Sequence, residues 1–114
     1  MKHDPKVLIY DAKTAAENVI EFTRELTFED YLDQLIVRSA VERQFEIIGE
    51  ILVRLARTNL ELANQIEKIS DIIQFRNVIA HSYDILDHDI VWNVIIEDLP
   101  QFIQDCQKLL DSIE

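Results

Sequence analysis

The residues best suited to chemistry gather in one stretch, residues 70–84. Arg76 offers a forked, permanently charged donor that matches a phosphate, and His81 titrates near neutral pH, so it can take up or release a proton. Asn77 and Tyr83 add an amide and a phenol to the same stretch. Side chains of these types, so close in sequence, are typical of a site that binds a phosphate and moves a proton.

The apolar spacing of this stretch predicts a helix that begins at Ser70, a good N-cap. At about 100° per residue, Arg76 and Tyr83 share a face, whereas Arg76 and His81 lie about 140° apart. A long Arg side chain, or a helix that loosens near His81, would bring both to one point. Asn77 precedes His81 by four residues and can orient its imidazole. On spacing alone the ordinary alternative stays open, in which the Arg and His sit in solvent or cap carbonyls.

Composition predicts an all-α protein, because 48% of the residues are apolar and the chain has one Gly and two Pro. We expect residues 1–114 to form one domain, an antiparallel bundle of four main helices plus short ones. The expected helices run from Pro5 to about Glu25, from Phe28 to about Arg57, from Leu60 to Ile66, from Ser70 through the motif, from His88 to Glu97, and from Pro100 onward. Residues 84–87 are expected to form a turn, and Asp98-Leu99-Pro100 to break the last main helix.

The long second helix has more apolar positions than one stripe requires. Leu32, Leu35 and Ile36 belong to its expected buried stripe, and Ile47 and Ile51 widen that stripe beyond one side. A helix that is apolar on two sides must bury a second surface, which in a small domain favours a dimer.

Gly49, Trp92 and His88 each lead to one further prediction. Gly49 lies inside the long helix, where Gly costs about 1 kcal/mol relative to Ala, so we expect a tight helix crossing there, within the chain or across a dimer. Trp92 is expected to cover a neighbouring helix, and His88, near a helix start, to be solvated.

Several classes of protein are disfavoured. Cys106 is alone, which excludes an internal disulfide and a cysteine metal site, and a buried thiol is expected. No apolar run is long enough to cross a membrane and the first residues do not resemble a signal peptide, so we expect a cytoplasmic protein.

The net charge of −11 argues against nonspecific binding to nucleic acid. However, five of the six arginines lie between Arg38 and Arg76, where acidic and basic residues balance. A local arginine-lined groove on an acidic body is therefore possible, and the acidic remainder suits a basic protein partner equally well.

The stretch Arg76-Asn77-Val78-Ile79-Ala80-His81-Ser82-Tyr83 resembles the Arg-x4-His-x-Tyr signature of the HepT-like toxins, a branch of the HEPN superfamily. Residues 43–50 resemble the family's Arg-x-x-Glu-x-Ile-Gly-Glu segment. Phe28-Glu29-Asp30, Val91-Trp92 and Asp98-Leu99-Pro100 resemble other parts of it, so the match runs from about Tyr10 to Pro100. The family often has a Trp shortly before the Arg, where this chain has Ile73 and Phe75, which indicates a change in packing.

This resemblance implies a HEPN-like dimer that acts as a metal-independent endoribonuclease toxin of a toxin–antitoxin pair. Arg76 and His81 of both chains would form the catalytic site at the interface, with Asn77 in support and with no metal or cofactor. The partner would be a minimal nucleotidyltransferase, an MntA-type antitoxin, which silences the ribonuclease by transferring AMP to Tyr83. The alternative is a non-catalytic HEPN-like dimer that serves as a binding module for such a nucleotidyltransferase.

Overall fold

The computed structural model describes residues 4–81 and 87–113, and within them every regular element is helical. The helices are α1 Pro5–Thr23, α2 Phe28–Asp33, α3 Leu35–Thr58, α4 Leu60–Ala63, α5 Ile69–His81, α6 His88–Asn93 and α7 Leu99–Ser112, and a π-helical segment, Val94–Asp98, joins α6 to α7. The all-α prediction is confirmed. The turn expected at residues 84–87 lies mostly outside the described residues.

Helix α3 is the centre of the packing, because α1 and α5 both lie against it and α7 packs on α1. Its inward face carries Val41, Phe45, Ile48, Leu52 and Leu55, all fully buried. The Phe45 ring meets Phe75 of α5 edge to face, with the ring centroids 4.9 Å apart. Such aromatic pairs add about 0.5–1.5 kcal/mol beyond the burial of their apolar area, so this contact fixes α5 against α3.

The expected single helix from Phe28 to Arg57 is wrong, because the chain breaks at Gln34 and forms α2 and α3. A break leaves carbonyls without their helical donors. The Arg38 guanidinium supplies replacements by donating to the backbone carbonyls of Tyr31 and Leu32. Leu35 and Ile36, expected to point inward, are instead 66% and 85% exposed.

The expected interruption at Asp98-Leu99-Pro100 is also wrong, because residues 88–112 are helical throughout. Proline normally clashes with the carbonyl four residues earlier and cannot donate to it. Here Pro100 lies in the first turn of α7, immediately after the π-helical segment, whose wider turn is closed by a bond from the Leu99 N–H to the Val94 carbonyl. The backbone stays helical across this turn, and Leu99 and Phe102 are both buried in the core.

The start of α5 differs slightly from the prediction, because the helix begins at Ile69 and Ser70 lies in its first turn. The turn before α5 is held from outside: the Glu67 N–H donates to the Asp105 carboxylate of α7 over 3.1 Å. Ile66, the residue before Glu67, is buried in the core, so both apolar packing and this hydrogen bond fix the chain before α5 begins.

Cys106 is buried as expected, and burial raises the pKa of its thiol to about 12. No helix in residues 4–81 and 87–113 is long and apolar enough to cross a membrane.

Polar side chains of α2, α3 and α6, namely Tyr31, Glu42 and His88, lie at the junction of these three helices. Trp92 packs on Phe28 and Tyr31, as expected for a side chain that covers a neighbouring helix. His88, expected to be solvated, is instead half-buried beside the Tyr31 ring, and its Nδ1 is buried without a hydrogen-bond partner. Burial raises the pKa of the half-buried Glu42, whereas the nearby His88 and Arg38 lower it.

The raised pKa of Glu42 predicts a pH-dependent contribution to stability. The folded protein binds this proton more tightly than the unfolded chain, so the contribution is present below the ordinary Glu pKa of about 4.3 and is lost as pH rises through the folded pKa. Glu42→Gln should therefore raise the free energy of unfolding at neutral pH, with a gain that disappears in acid. Urea titrations across pH measure this, and Glu61→Gln, which changes an exposed acid of α4, is the control. A loss of stability at neutral pH would contradict the prediction.

Candidate active site

Arg76 crosses α3 at Gly49, the one position of that helix without a side chain. A Cβ built on Gly49 would collide with the Cβ and Cγ of Arg76 and would lie 3.0 Å from its Cδ. The aliphatic part of Arg76 therefore occupies the space that any other residue at position 49 would fill. The tight crossing predicted at Gly49 is confirmed, and it lies within the chain, between α3 and α5.

The charged end of Arg76 emerges from this crossing beside two oxygen acceptors. One terminal nitrogen, Nη1, donates to the Asn77 side-chain oxygen over 3.1 Å, and the other, Nη2, lies 3.8 Å from Glu50 Oε1. The Nε atom is buried and has no hydrogen-bond partner. The Arg76 side chain is 30% exposed, so its stem is fixed while its terminal nitrogens reach the surface.

The ion pair between Glu50 and Arg76 is weak enough for another anion to replace the Glu50 carboxylate. Its 3.8 Å separation is longer than a charge-assisted hydrogen bond, and the Glu50 side chain is 55% exposed. Pairs of this kind contribute about 0–1 kcal/mol to stability. An anion that approaches from solvent can therefore take the place of the Glu50 carboxylate at Arg76 at low energetic cost.

The remaining residues of the predicted site are only partly described. Helix α5 stays α-helical through its last residue, His81, so the helix does not loosen there. Positions 76 and 81 therefore lie about 140° apart around the axis and about 7.5 Å apart along it. Tyr83 lies outside the described residues. Asn77, proposed from the sequence to position His81 or a phosphate, has Arg76 as its hydrogen-bond partner.

Among residues 4–81 and 87–113, no three His, Cys, Asp or Glu side chains lie close enough together to hold a metal ion. The described part of the site consists of the Arg76 guanidinium, the Asn77 amide and the Glu50 carboxylate. The guanidinium and the amide can donate hydrogen bonds to an anion, whereas the Glu50 carboxylate competes with an anion for Arg76.

Comparison with known proteins agrees with the motif. The model of the family described as "HepT-like: Ribonuclease HepT-like" matches residues 12–109. The chain belongs to this family. The HepT-like resemblance is therefore confirmed, and with it the HEPN superfamily.

Three relatives named as ribonucleases match along almost their whole length. A protein of Thermococcus cleftensis named "Probable ribonuclease HepT" is 32% identical, over 96% of this chain and 98% of the relative. Two proteins of Methanocaldococcus jannaschii named "Putative RNase MJ1380" and "Putative RNase MJ0127" are 28% and 26% identical. The matches cover 93% and 99% of this chain, and 96% and 93% of those relatives. No solved structure matches the chain significantly.

Glu50 is the contact of this HepT-like site that sequence reasoning missed. The sequence showed Gly49-Glu50 next to each other and placed a close helix crossing there, but it assigned neither residue to Arg76. The available signal was the combination of a helical Gly, which marks a close approach, with an acid at the next position. Because the crossing helix carries the motif Arg, the acid beside the gap becomes its neighbour.

The crossing at Gly49 predicts that Gly49→Ala harms both stability and the site. Helix propensity alone would stabilise this change by about 1 kcal/mol. The collision with the near end of Arg76 instead adds an overpacking cost of about 1–3 kcal/mol. We expect a net decrease in the free energy of unfolding, measured by urea denaturation.

A matched control is Ser39→Ala, which changes an exposed position on the same helix. It measures the effect of helix propensity on stability without a collision with Arg76. If Gly49→Ala gained as much stability as helix propensity alone provides, Arg76 would not be packed across Gly49 in solution.

Proposed function

We propose that this chain is a metal-independent endoribonuclease whose active site forms between two copies of the chain. Membership of the HepT-like ribonuclease family supports the reaction class, as do relatives that are named as ribonucleases. The observation that carries the proposal is the arrangement of Arg76: its stem is locked over Gly49 and its terminal nitrogens are presented to solvent beside an exchangeable carboxylate.

The proposed reaction uses the 2′-hydroxyl of RNA as the nucleophile. That oxygen attacks the adjacent phosphorus, the bond from phosphorus to the 5′-oxygen breaks, and a 2′,3′-cyclic phosphate and a 5′-hydroxyl result. One His81 removes the 2′-proton as general base, and a second His81 donates a proton to the leaving oxygen as general acid. Arg76 stabilises the charge that develops on the nonbridging oxygens.

The geometry of α5 favours a site that is shared by two copies. Because the helix is regular through His81, the Arg76 and His81 of one chain start on different faces. A twofold axis near the end of α5 would bring the Arg76 of one chain towards the His81 of its partner. The dimer proposed here would also provide the two imidazoles that the two proton transfers require.

We further propose that the chain is the toxin of a two-gene pair with an MntA-type nucleotidyltransferase, and that AMP transfer to Tyr83 silences it. The Tyr83 oxygen would attack the α-phosphorus of ATP and release pyrophosphate. Tyr83 belongs to the same Arg-x4-His-x-Tyr motif as Arg76, and a negatively charged phosphodiester on its oxygen would compete with an RNA phosphate for the Arg76 guanidinium. The chain's net charge of −11 suits a basic surface on such a partner.

The ribonuclease proposal predicts cleavage of single-stranded RNA in the presence of EDTA. His81→Ala should slow cleavage by about 10²–10⁴-fold through loss of proton transfer, and Arg76→Ala by about 10²–10³-fold through loss of charge stabilisation. Specific activity should also fall on dilution below the dimer dissociation constant. Cleavage rates of labelled RNA, with products resolved on gels, measure all three effects.

The matched control is Arg24→Gln at the end of α1, where an exposed arginine pairs with Glu21. Cleavage that is unchanged in both the His81 and the Arg76 variant would come from a contaminating nuclease. RNA that remains intact with an otherwise functional dimer would favour the non-catalytic binding module, for which the acidic surface is the supporting observation.

The regulatory proposal predicts that Tyr83 is the acceptor of AMP. When the chain is mixed with its partner nucleotidyltransferase and ATP, intact-protein mass spectrometry should show a gain of whole AMP groups and a parallel loss of ribonuclease activity. Tyr83→Phe should gain none and remain active, whereas Tyr10→Phe, an exposed phenol on α1, should behave as wild type. AMP found on any other residue would refute the assignment of Tyr83.

A further inference from the structure

A single row of charged side chains runs along the outer face of α3. Arg43, Glu46, Glu50, Arg54 and Arg57 follow one another at spacings of three or four residues, so they lie on one side of the helix. Arg43, Glu50, Arg54 and Arg57 are exposed and Glu46 is partly exposed. We call these five residues the α3 row. From Arg43 to Arg57 the row is about 21 Å long at 1.5 Å per residue.

The α3 row passes the proposed active site at its midpoint. Glu50, its central member, is the residue that meets the Arg76 guanidinium. Arg43 and Arg57 each lie seven residues from Glu50, about 10.5 Å away along the axis in opposite directions. A polyanion bound at Arg76 and aligned with α3 would therefore meet a further arginine on each side of that point.

We propose that the α3 row is the path of single-stranded RNA, with Arg43 on one side and Arg54 and Arg57 on the other contacting phosphates that flank the one held by Arg76. This inference rests on the proposed ribonuclease function and adds to it a binding surface outside the catalytic residues. Positive groups that follow the backbone are one of the two usual means of holding a single strand without regard to sequence, the other being aromatic side chains on which the bases stack.

The charges of the α3 row are available to such a ligand. Arg43 is 61% exposed and lies 3.7 Å from Glu46, a loose pair like that of Glu50 with Arg76. Among residues 4–81 and 87–113, Arg54 and Arg57 have no ion-pair partner. With Arg76 the row has four arginines against two glutamates, whereas the whole chain has a net charge of −11. The positive charge is thus concentrated beside the proposed site.

The test measures binding separately from cleavage. The probe is a fluorescein-labelled, fully 2′-O-methylated RNA of mixed sequence and about twelve nucleotides, a typical length for a single-strand site. Methylation blocks the 2′-oxygen, so the full-length protein can bind the probe but cannot cleave it. Fluorescence anisotropy at a series of salt concentrations gives the slope of log K against log[salt] for each variant.

Arg43→Gln and Arg57→Gln should each lower the magnitude of that slope by about 0.7 and weaken binding about fivefold near 0.1 M salt, since each removes one phosphate contact. Arg57→Lys keeps the charge and should retain the wild-type slope. Arg24→Gln changes an exposed arginine of α1 that is not part of the α3 row, and it should leave slope and affinity unchanged.

The outcomes separate this inference from the proposed function. If the variants of the α3 row have lower slopes but the protein never cleaves unmodified RNA, the proposed RNA path is supported and the proposed ribonuclease function is refuted. Cleavage that depends on His81, with wild-type slopes for the row variants or with no binding of the probe, would overturn the path. A change in sedimentation of Arg57→Gln without a change in slope would also overturn it, because α3 would then contact protein.

Discussion

The close approach of α5 to α3 at Gly49 is the constraint on which the rest of this structure depends. Hydrogen is the only substituent that leaves room for the Arg76 stem, so the identity of one residue sets the distance between two helices. Once the stem is buried there, the guanidinium has a fixed point of exit beside Glu50 and Asn77. The edge-to-face contact of Phe45 and Phe75 holds the same pair of helices on their inward side.

This arrangement would reconcile a strongly acidic chain with the proposed binding of an anion at Arg76. At physiological salt, exposed charges are screened beyond about 8 Å, so a local group of arginines acts largely independently of distant carboxylates. The α3 row and Arg76 lie together, while residues 77–114 contain most of the unbalanced acid. Acidic surface elsewhere would then limit nonspecific adsorption of nucleic acid without preventing binding at Arg76.

Sequence reasoning predicted the features that depend on neighbouring residues and failed on those that depend on tertiary contacts. The helical class, the Asp4-Pro5 start of α1 and the crossing at Gly49 follow from local patterns. The break at Gln34 does not follow from a local pattern, because Leu32, Leu35 and Ile36 keep helical spacing across it. The hydrogen bonds of Arg38 that stabilise the break cannot be seen in that spacing. The motif identified Arg76 as a site residue. Its contact with Glu50 could not be predicted, because the sequence does not show which turn of α3 lies against which turn of α5.

The central claim is that the Arg76 of one chain acts with the His81 of another. Mixing Arg76→Ala with His81→Ala chains tests it most directly, because a mixed dimer keeps one arginine and one histidine on opposite chains. After exchange of subunits, we expect RNA cleavage in EDTA to rise above that of either variant alone. It should remain well below wild type, because the mixed dimer has one imidazole for the two proton transfers. Activity that stayed at the level of the separate variants, with mixed dimers demonstrated by native mass spectrometry, would contradict the claim.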